Sequence, residues 1–226
     1  MAGWGMNHPL SFQEARVLGC LLEKEMTTPD YYPLTPAALV AACNQLSNRE
    51  PIVAWNEETV EAGAAGLRQR TMAAMIHMAG SRGPKFRHLL EDYYPTLGRP
   101  ERALLAVLLL RGPQSAAELR TRTERMFRFS SADEVERSLE KLIHFGEGPL
   151  VVHWPSGNGR RVSTYMHLLC GEATPTAVAA VEATVIAPPP DRVLALEEEI
   201  SALRQEVNTL KERLLALETA LGTNQD

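Results

Sequence analysis

The C-terminal stretch carries the pattern that most restricts the fold of this chain. Between residues 193 and 221 apolar side chains recur at alternating spacings of three and four, the period of about 3.5 residues of a coiled-coil seam. The seam consists of Val193, Leu196, Ile200, Leu203, Val207, Leu210, Leu214, Leu217 and Leu221. With Val193 at heptad position a, β-branched residues open the a positions and leucine fills every d position, a combination that favours two parallel strands. We therefore predict a coiled coil over residues 191–222.

The charges beside the seam indicate how two copies pair. In a parallel dimer each g residue meets the e residue of the next heptad in the other copy. All four such pairs attract: Arg192 with Glu197, Glu199 with Arg204, Glu206 with Lys211, and Arg213 with Glu218. An in-register antiparallel pairing would place like charges opposite one another. The sequence thus predicts a parallel homodimer. The alternative is a helix folded back on its own domain, because Leu194 and Leu215 widen the apolar stripe.

Composition limits the class of protein. The chain has 226 residues, a net charge of −5 and 45% apolar residues, which suits two compact domains and an appendage. Three widely separated cysteines, Cys20, Cys43 and Cys170, suggest free thiols in a reducing compartment, so we expect a cytoplasmic protein. The longest apolar run, Ala103–Leu110, is too short to cross a bilayer, and the N-terminus lacks the pattern of a signal peptide. Neither membrane insertion nor export is expected.

The segment before the coil contains the same order of elements twice. Helices are predicted to begin at Ser11, at Thr35 with Pro36, and near Asn56, and a hairpin follows with strands over Met72–Ala79 and Lys85–Glu91. The order returns with a helix over Pro100–Arg111 and with two further helices opened by the capping boxes Ser115/Glu118 and Ser131/Glu134. A second hairpin pairs Leu150–Trp154 with the alternating stretch 162–168.

Three helices closed by a two-stranded hairpin are typical of a winged helix-turn-helix. We predict a mainly α protein with small β hairpins (α+β), made of two tandem winged-helix domains and a C-terminal coiled-coil helix. The predicted boundaries are 10–97 and 98–170 for the two domains, 171–190 for a linker rich in alanine, threonine and proline, and 191–222 for the coil.

The run LLEKEMTTPDYYPLTPAALVAACNQLSNREPIV over 21–53 resembles the YceH-like family of bacterial proteins. The similarity continues through LLLRGPQSAAELRTRTERMFRFSSADEVERSLEKL and GPLVVHWPSGNGRRVSTYMHLL, so it covers most of residues 10–170. The resemblance implies two tandem winged-helix domains and no established biochemical activity. It supports the fold and leaves the function open.

The basic residues favour the hairpins as a nucleic-acid interface. A winged helix normally reads DNA with its third helix, but here Glu57, Glu58 and Glu61 open the first such helix, and carboxylates also dominate the second. Those carboxylates suit the helix dipole and would repel phosphate. The candidate nucleic-acid-binding residues are Arg68, Arg70, Arg82, Lys85, Arg87, Arg160 and Arg161. The first hypothesis is duplex DNA binding through phosphate contacts. The second is a protein scaffold whose acidic third helices dock a basic partner.

Other candidate sites have simpler structural interpretations. The polar cluster Asn44, Gln45, Asn48 and Arg49 is expected to fix a helix end, although side-chain amides can also contact bases. Tyr31 and Tyr32 are expected to be loop anchors packed beneath Pro33, and Cys43 to lie in the core. No cysteine or histidine spacing matches a metal site, and no glycine-rich loop opens a helix after a strand. We predict no enzyme activity, no cofactor and no metal.

Overall fold

The computed structural model describes residues 9–77, 83–157, 161–171, 205, 207 and 209–211. Three helices and a hairpin come first in the chain, and we call these elements the first set. The set consists of α1 (Phe12–Thr27), a short 3-10 helix (Pro29–Tyr31), α2 (Pro36–Cys43), α3 (Glu57–Gln69), β1 (Ala73–Ile76) and β2 (Lys85–His88). The three α-helices begin where the sequence places a cap. Ser11 and Glu14 form a full capping box, Thr35 Oγ1 accepts from Ala38 N at 3.2 Å, and Asn56 Oδ1 accepts from Thr59 N at 2.9 Å.

The same order follows again after a short helix, α4 (Leu90–Tyr93). The second set consists of α5 (Arg99–Arg111), α6 (Ala116–Arg122), α7 (Ala132–Ile143), β3 (Val151–Trp154) and β4 (Thr164–His167). Both hairpins are antiparallel. Ala73 pairs with His88 in the first hairpin, and Val151 pairs with His167 in the second. The mixed α+β class and the predicted order of elements are confirmed.

Corresponding backbone hydrogen bonds hold the two sets together internally. Leu34, just before α2, pairs with Phe86 of β2 through bonds of 3.0 and 2.7 Å. Gln114, just before α6, pairs with Tyr165 of β4 through bonds of the same two lengths. Each hairpin therefore gains a third, one-residue strand from the segment between the first and second helices of its set.

The core is continuous across the two sets because α1 packs directly against α5. Gly19 allows the close approach, since a Cβ atom there would lie 2.9 Å from Leu110 Cγ and 3.0 Å from Leu109 Cβ. Both helices are consequently buried around their whole circumference over Glu14–Glu23 and Ala103–Leu110. Packing against α5 covers the side of α1 that its contacts with α2 and α3 leave free.

Three local predictions are wrong. Glu91 lies in the short helix α4 and does not extend β2, because the chain turns after His88, whose Nδ1 accepts from Leu90 N at 3.2 Å. Glu134 does not complete a capping box with Ser131, since its carboxylate accepts from the N and Oγ of Ser130 at 2.7 Å. Tyr31 is 78% exposed, whereas Tyr32 is half-buried and its hydroxyl accepts from His88 N at 2.7 Å. Only Tyr32 is an anchor.

The C-terminal segment forms a separate unit, 186–226. The structure describes five residues of this unit, 205, 207 and 209–211, and all five are helical. Val207 and Leu210 are 47% and 56% exposed in the single chain. The predicted seam positions Val193, Leu196, Ile200, Leu203, Leu214 and Leu217 lie outside the described residues, so the coiled coil stays a prediction.

Candidate functional site

The third helices α3 and α7 each place one face in the core and the other in solvent. Val60, Ala64 and Leu67 anchor α3. Val135, Leu139 and Leu142 anchor α7 at matching intervals. These apolar positions recur with helical periodicity, so they fix which residues point outward. The outward faces are the surfaces that each set offers to a partner.

Both outward faces are acidic. Glu57, Glu58 and Glu61 are exposed on α3, and Asp133, Glu136 and Glu140 are exposed on α7. Among the residues that the structure describes, Glu140 alone of these six lies within ion-pair distance of a basic side chain, His144 Nδ1 at 3.2 Å, which pairs with it as an ion only when protonated. The remaining carboxylates are therefore available to a cationic ligand and would repel an anionic one.

A cleft of about 880 Å³ runs beside α7. It lies between α7, the start of α5 and Tyr165 of β4. Its lining residues are Thr96, Leu97, Glu101, Asp133, Glu136, Arg137, Glu140, Lys141, His144, Phe145, Gly146 and Tyr165. Four carboxylates and two permanent cations make this lining net negative.

Aromatic rings form part of the cleft wall. Tyr165 stacks on His153 with 4.7 Å between ring centroids, and Phe145 meets Tyr94 edge-on at 5.2 Å. Partial burial and the charges of Glu136 and Glu140 raise the pKa of Tyr165. Tyr165 is therefore a neutral ring close to two carboxylates, an arrangement that suits a cation stacked on the ring.

Lys141 is held in place at the edge of the cleft. Its Nζ lies 3.1 Å from Oε1 of Glu101, a residue only 4% exposed. The first set has a related link, in which Nε of Arg70 lies 2.9 Å from Oε1 of Glu14. In both sets a glutamate in the first turn of the first helix binds a cation near the end of the third. Arg70 also donates to the carbonyl of Pro9 at 3.2 Å, so this candidate phosphate contact is engaged within the fold.

The other candidate nucleic-acid residues are spread over the surface. Lys85 and Arg87 lie on one side of β2, since alternate residues of a strand share a face. Arg87 is exposed, and its Nη2 is 3.8 Å from Oδ2 of Asp92. Arg68 at the end of α3 and Arg161 before β4 are exposed. Arg82 and Arg160 lie outside the described residues. The structure brings Lys85 and Arg87 together and leaves the predicted interface untested.

The polar cluster after α2 is engaged in internal hydrogen bonds. Asn44 bonds both backbone groups of Trp55, at 2.7 and 2.9 Å. Gln45 Oε1 accepts from Arg49 Nη2 at 2.9 Å, and Asn48 Oδ1 accepts from Arg111. These contacts match the expected role of fixing a helix end and its loop.

A buried charge cluster in the first set was missed by sequence reasoning. The guanidinium of Arg49 binds both carboxylate oxygens of Glu23, at 3.1 and 2.6 Å, and donates to the Ala42 carbonyl at 2.9 Å. Burial raises the pKa of Glu23, but the hydrogen bond and charge of Arg49 bring it below its ordinary value. Arg49 and Glu23 are far apart in sequence, so periodicity cannot pair them. The only hint of this pair in the sequence is a charged residue, Glu23, next to the apolar residues of α1.

Arg16 belongs to the same cluster and is fully buried. Its Nη2 donates to the Pro51 carbonyl at 2.7 Å and its Nη1 to the Cys43 carbonyl at 3.3 Å. Its guanidinium carbon lies 5.4 Å and 5.9 Å from the ring centroids of Phe12 and Trp55. Burial lowers the pKa of Arg16, because no carboxylate contacts this guanidinium among the described residues.

The described residues contain neither a cluster of metal-binding side chains nor a membrane-spanning helix. Within that part of the chain, no set of three or more histidine, cysteine, aspartate or glutamate side chains is arranged to hold a metal ion. None of the helices described combines the length and apolar character that crossing a membrane requires.

Comparison with known proteins places the chain among relatives of unknown function. A family model described as "Protein of unknown function, DUF480" matches residues 10–160. A UPF0502 protein of Photobacterium profundum is 44% identical over 220 residues, 94% of this chain and 99% of that protein. UPF0502 protein YceH of Escherichia fergusonii is 41% identical over 213 residues, 92% and 99% of the two chains. The names of these relatives state no ligand and no reaction, and the resemblance to the YceH-like family is confirmed.

Proposed function

The chain belongs to the DUF480 family of bacterial proteins, and we propose that it is a docking module whose acidic third helices bind a basic segment of a partner protein. The observation that carries this proposal is the cleft beside α7, where Glu136 and Glu140 lie next to the ring of Tyr165. The corresponding face of α3, with Glu57 and Glu58 exposed, adds a second acidic surface.

A winged-helix interpretation of each set supports the choice of the third helix as the contact surface. The bridges Leu34–Phe86 and Gln114–Tyr165 give each hairpin a third strand. This strand comes from the segment between the first and second helices of the set. In helix-turn-helix proteins the recognition helix lies in the DNA major groove. An acidic helix in that position would repel the phosphate backbone, whereas it attracts lysine and arginine side chains.

Arginine is the side chain that fits the cleft best. Its planar guanidinium can stack on Tyr165 while it donates two parallel hydrogen bonds to a carboxylate such as Glu136. Lysine would form a point contact without stacking. Lys141 is already bound by Glu101, so it does not compete for Glu136. The ligand class is a segment with two or more arginines.

A parallel dimer through residues 191–222 is part of the proposal. Val207 and Leu210 occupy an a and a d position of the heptad pattern, and both are exposed in the single chain. Burying them against a second copy removes apolar surface from water. Two copies joined in this way would present two clefts, so a partner with two basic segments would gain affinity through effective concentration.

The experiment compares a synthetic peptide that alternates arginine and alanine with the same peptide in which neutral citrulline replaces arginine. The full chain should bind the arginine peptide alone. The variant Glu136→Gln/Glu140→Gln should bind about 5- to 30-fold more weakly, since each exposed pair contributes about 0.5–1 kcal/mol. The control Glu124→Gln/Glu147→Gln removes two exposed carboxylates that do not line the cleft, so its affinity should stay unchanged. Equal binding of both peptides would contradict the proposal.

Duplex DNA binding is the second candidate, favoured by the shared face of Lys85 and Arg87 on β2. Phosphate contacts require affinity to fall steeply as salt rises. Changing Lys85, Arg87 and Arg161 to alanine would then make the slope of log affinity against log salt shallower by about one unit per contact. Retardation of duplex at low salt by the full chain, with no binding of the arginine peptide, would replace docking by DNA binding.

A further inference from the structure

The spacing of the carboxylates along α7 restricts the shape of the basic segment that the cleft can accept. Glu136 and Glu140 both line the cleft, are exposed, and lie four residues apart on one continuous helix. Residues four apart in an α-helix share a face and are separated by about 6 Å along its axis. Asp133, three residues before Glu136, is only about 4.5 Å away along the axis. Glu136 and Glu140 therefore form a pair of anionic positions with a wider spacing.

An extended chain repeats over nearly the distance that separates this pair. Alternate residues of a β-strand share a face and are about 6.8 Å apart, whereas neighbouring residues point to opposite faces. Two arginines separated by one residue would both face α7, with one opposite Glu136 and the other opposite Glu140. Two adjacent arginines would place one of their side chains away from the helix.

The width of the cleft favours an extended segment over a helical one. The lining residues of α7 run from Asp133 to its C-cap His144, about 16 Å along the helix axis. A volume of about 880 Å³ over that length corresponds to a mean cross-section of roughly 50 Å². An extended chain occupies a similar area, since strands are spaced by about 4.8 Å and stacked sheets by about 10 Å. A helix with its side chains is about 10–12 Å in diameter and would be too wide.

Tyr165 offers room for one guanidinium. The ring of His153 covers one face of the Tyr165 ring, with 4.7 Å between the centroids and 22° between the ring planes. The two residues pair across β3 and β4, so the register of the hairpin maintains this stack. One face of the Tyr165 ring is left for a cation from a partner.

We propose that the partner segment is extended and carries two arginines separated by one residue, aligned with Glu136 and Glu140. This inference rests on the proposed docking function and adds the spacing and the conformation of the ligand. One arginine also stacks on Tyr165, and the other pairs with a carboxylate alone. Arg137 is exposed and lines the same cleft, so it repels a third arginine. The cleft thus selects a spaced pair of arginines over a continuous run.

Three isomeric peptides test the spacing at constant composition and charge. Each is a short serine peptide with blocked ends and two arginines, which are adjacent, separated by one residue or separated by three. Binding to the full chain is followed by NMR titration at low salt. The peptide with one intervening residue should bind about 2- to 5-fold more tightly than either isomer, because it alone brings both arginines to carboxylates.

The other outcomes are distinguishable. Equal affinity of the three peptides, or tightest binding of the adjacent pair, would overturn the spacing and leave the docking function standing. Tightest binding of the peptide with three intervening residues would indicate a helical partner and would overturn the extended conformation. Absence of binding by all three peptides would contradict the docking function and this inference together.

Single variants locate the preference on α7. Glu136→Gln and Glu140→Gln each leave one member of the carboxylate pair, so the affinities of the three peptides should then differ by less than about 2-fold. The control Glu124→Gln removes an exposed carboxylate that does not line the cleft, and it should keep the full preference. Circular dichroism checks that each variant is folded. A preference that survives in both Glu136→Gln and Glu140→Gln would overturn the alignment with these two residues.

Discussion

The two sets have corresponding backbone hydrogen bonds and differ in the side chains of their interiors. The bridges at Leu34 and Gln114 have matching hydrogen-bond lengths, and in both sets the residue before the hairpin bonds back to the end of the third helix at 2.9 Å. The interiors differ: Arg16, Cys20 and Glu23 of α1 correspond to Ala103, Val107 and Leu110 of α5. The same backbone hydrogen bonds therefore form around apolar residues at these three positions, so the charges of Arg16 and Glu23 are not needed for them.

The largest effect should follow from breaking the buried ion pair of the first set. Arg49→Met leaves Glu23 buried without its main partner, so the free energy of unfolding should fall by about 3–5 kcal/mol. The double variant Arg49→Met/Glu23→Leu makes the site resemble Leu110 of α5 and should recover part of that loss. Urea denaturation of the three proteins measures both changes. A double variant less stable than Arg49→Met alone would show that the two interiors are not equivalent.

The second effect concerns the histidines that end the second strand of each hairpin. Both are buried, but His88 Nε2 lies 2.8 Å from Glu25 Oε2, whereas His167 Nδ1 has no partner in the described part of the chain. Burial lowers the pKa of His167 from 6.5 to about 4. The folded chain therefore binds the proton less readily than the unfolded chain.

Stability linked to His167 is complete above pH 6.5 and is lost as the pH falls towards 4, because the unfolded chain takes up the proton first. The total loss should be about 3 kcal/mol, at about 1.4 kcal/mol for each pH unit. The variant His167→Gln should flatten the dependence of unfolding free energy on pH in that interval. The control His144→Gln changes an exposed histidine and should leave the slope intact. An unaltered slope in His167→Gln would assign the acid sensitivity to other groups.

A smaller effect is expected where the two sets touch. Gly19→Ala would push a methyl group against Leu109 and Leu110, and such overpacking costs about 1–3 kcal/mol, partly offset by a gain of about 1 kcal/mol in helix propensity. We expect a net loss of about 1 kcal/mol in thermal denaturation. Gly146→Ala is the matched control, because a Cβ atom there would meet nothing within 4 Å. A more stable Gly19→Ala protein would mean that α1 and α5 can separate slightly without loss.

The smallest difference should be found between the two complete capping boxes, which open α1 in the first set and α6 in the second. Ser11 and Ser115 each form a complete capping box with the glutamate three residues later. Replacing either serine by alanine should lower the unfolding free energy by about 1 kcal/mol, and by the same amount in both sets. Chemical denaturation of the two single variants tests this. A clearly larger loss for Ser11→Ala would indicate that the first set depends more strongly on its helix ends.

Local chemistry explains what could be predicted from the sequence. Caps such as Thr35 and Asn56 act within a few residues, so their patterns located the helices and the order of elements correctly. The partner of α1 could not be predicted, because α1 and α5 are both apolar on more than one face. The ion pair of Arg49 with Glu23 depends on tertiary packing alone. The acidity of α3 and α7 was visible in the sequence, whereas the cleft beside α7 required the positions of Glu101 and Tyr165.

One backbone hydrogen bond joins the start of the first set to the end of the second set. Leu10 N donates to the carbonyl of Leu169 at 2.7 Å, next to the last strand of the second set. The path of the chain through both sets is therefore nearly a closed ring. Joining residue 169 to residue 10 by a short linker and opening the ring at the turn after α5 would give a circular permutant of residues 10–169 that keeps every helix and strand of the two sets. Such a permutant would separate the order in which the elements are synthesised from the way they pack.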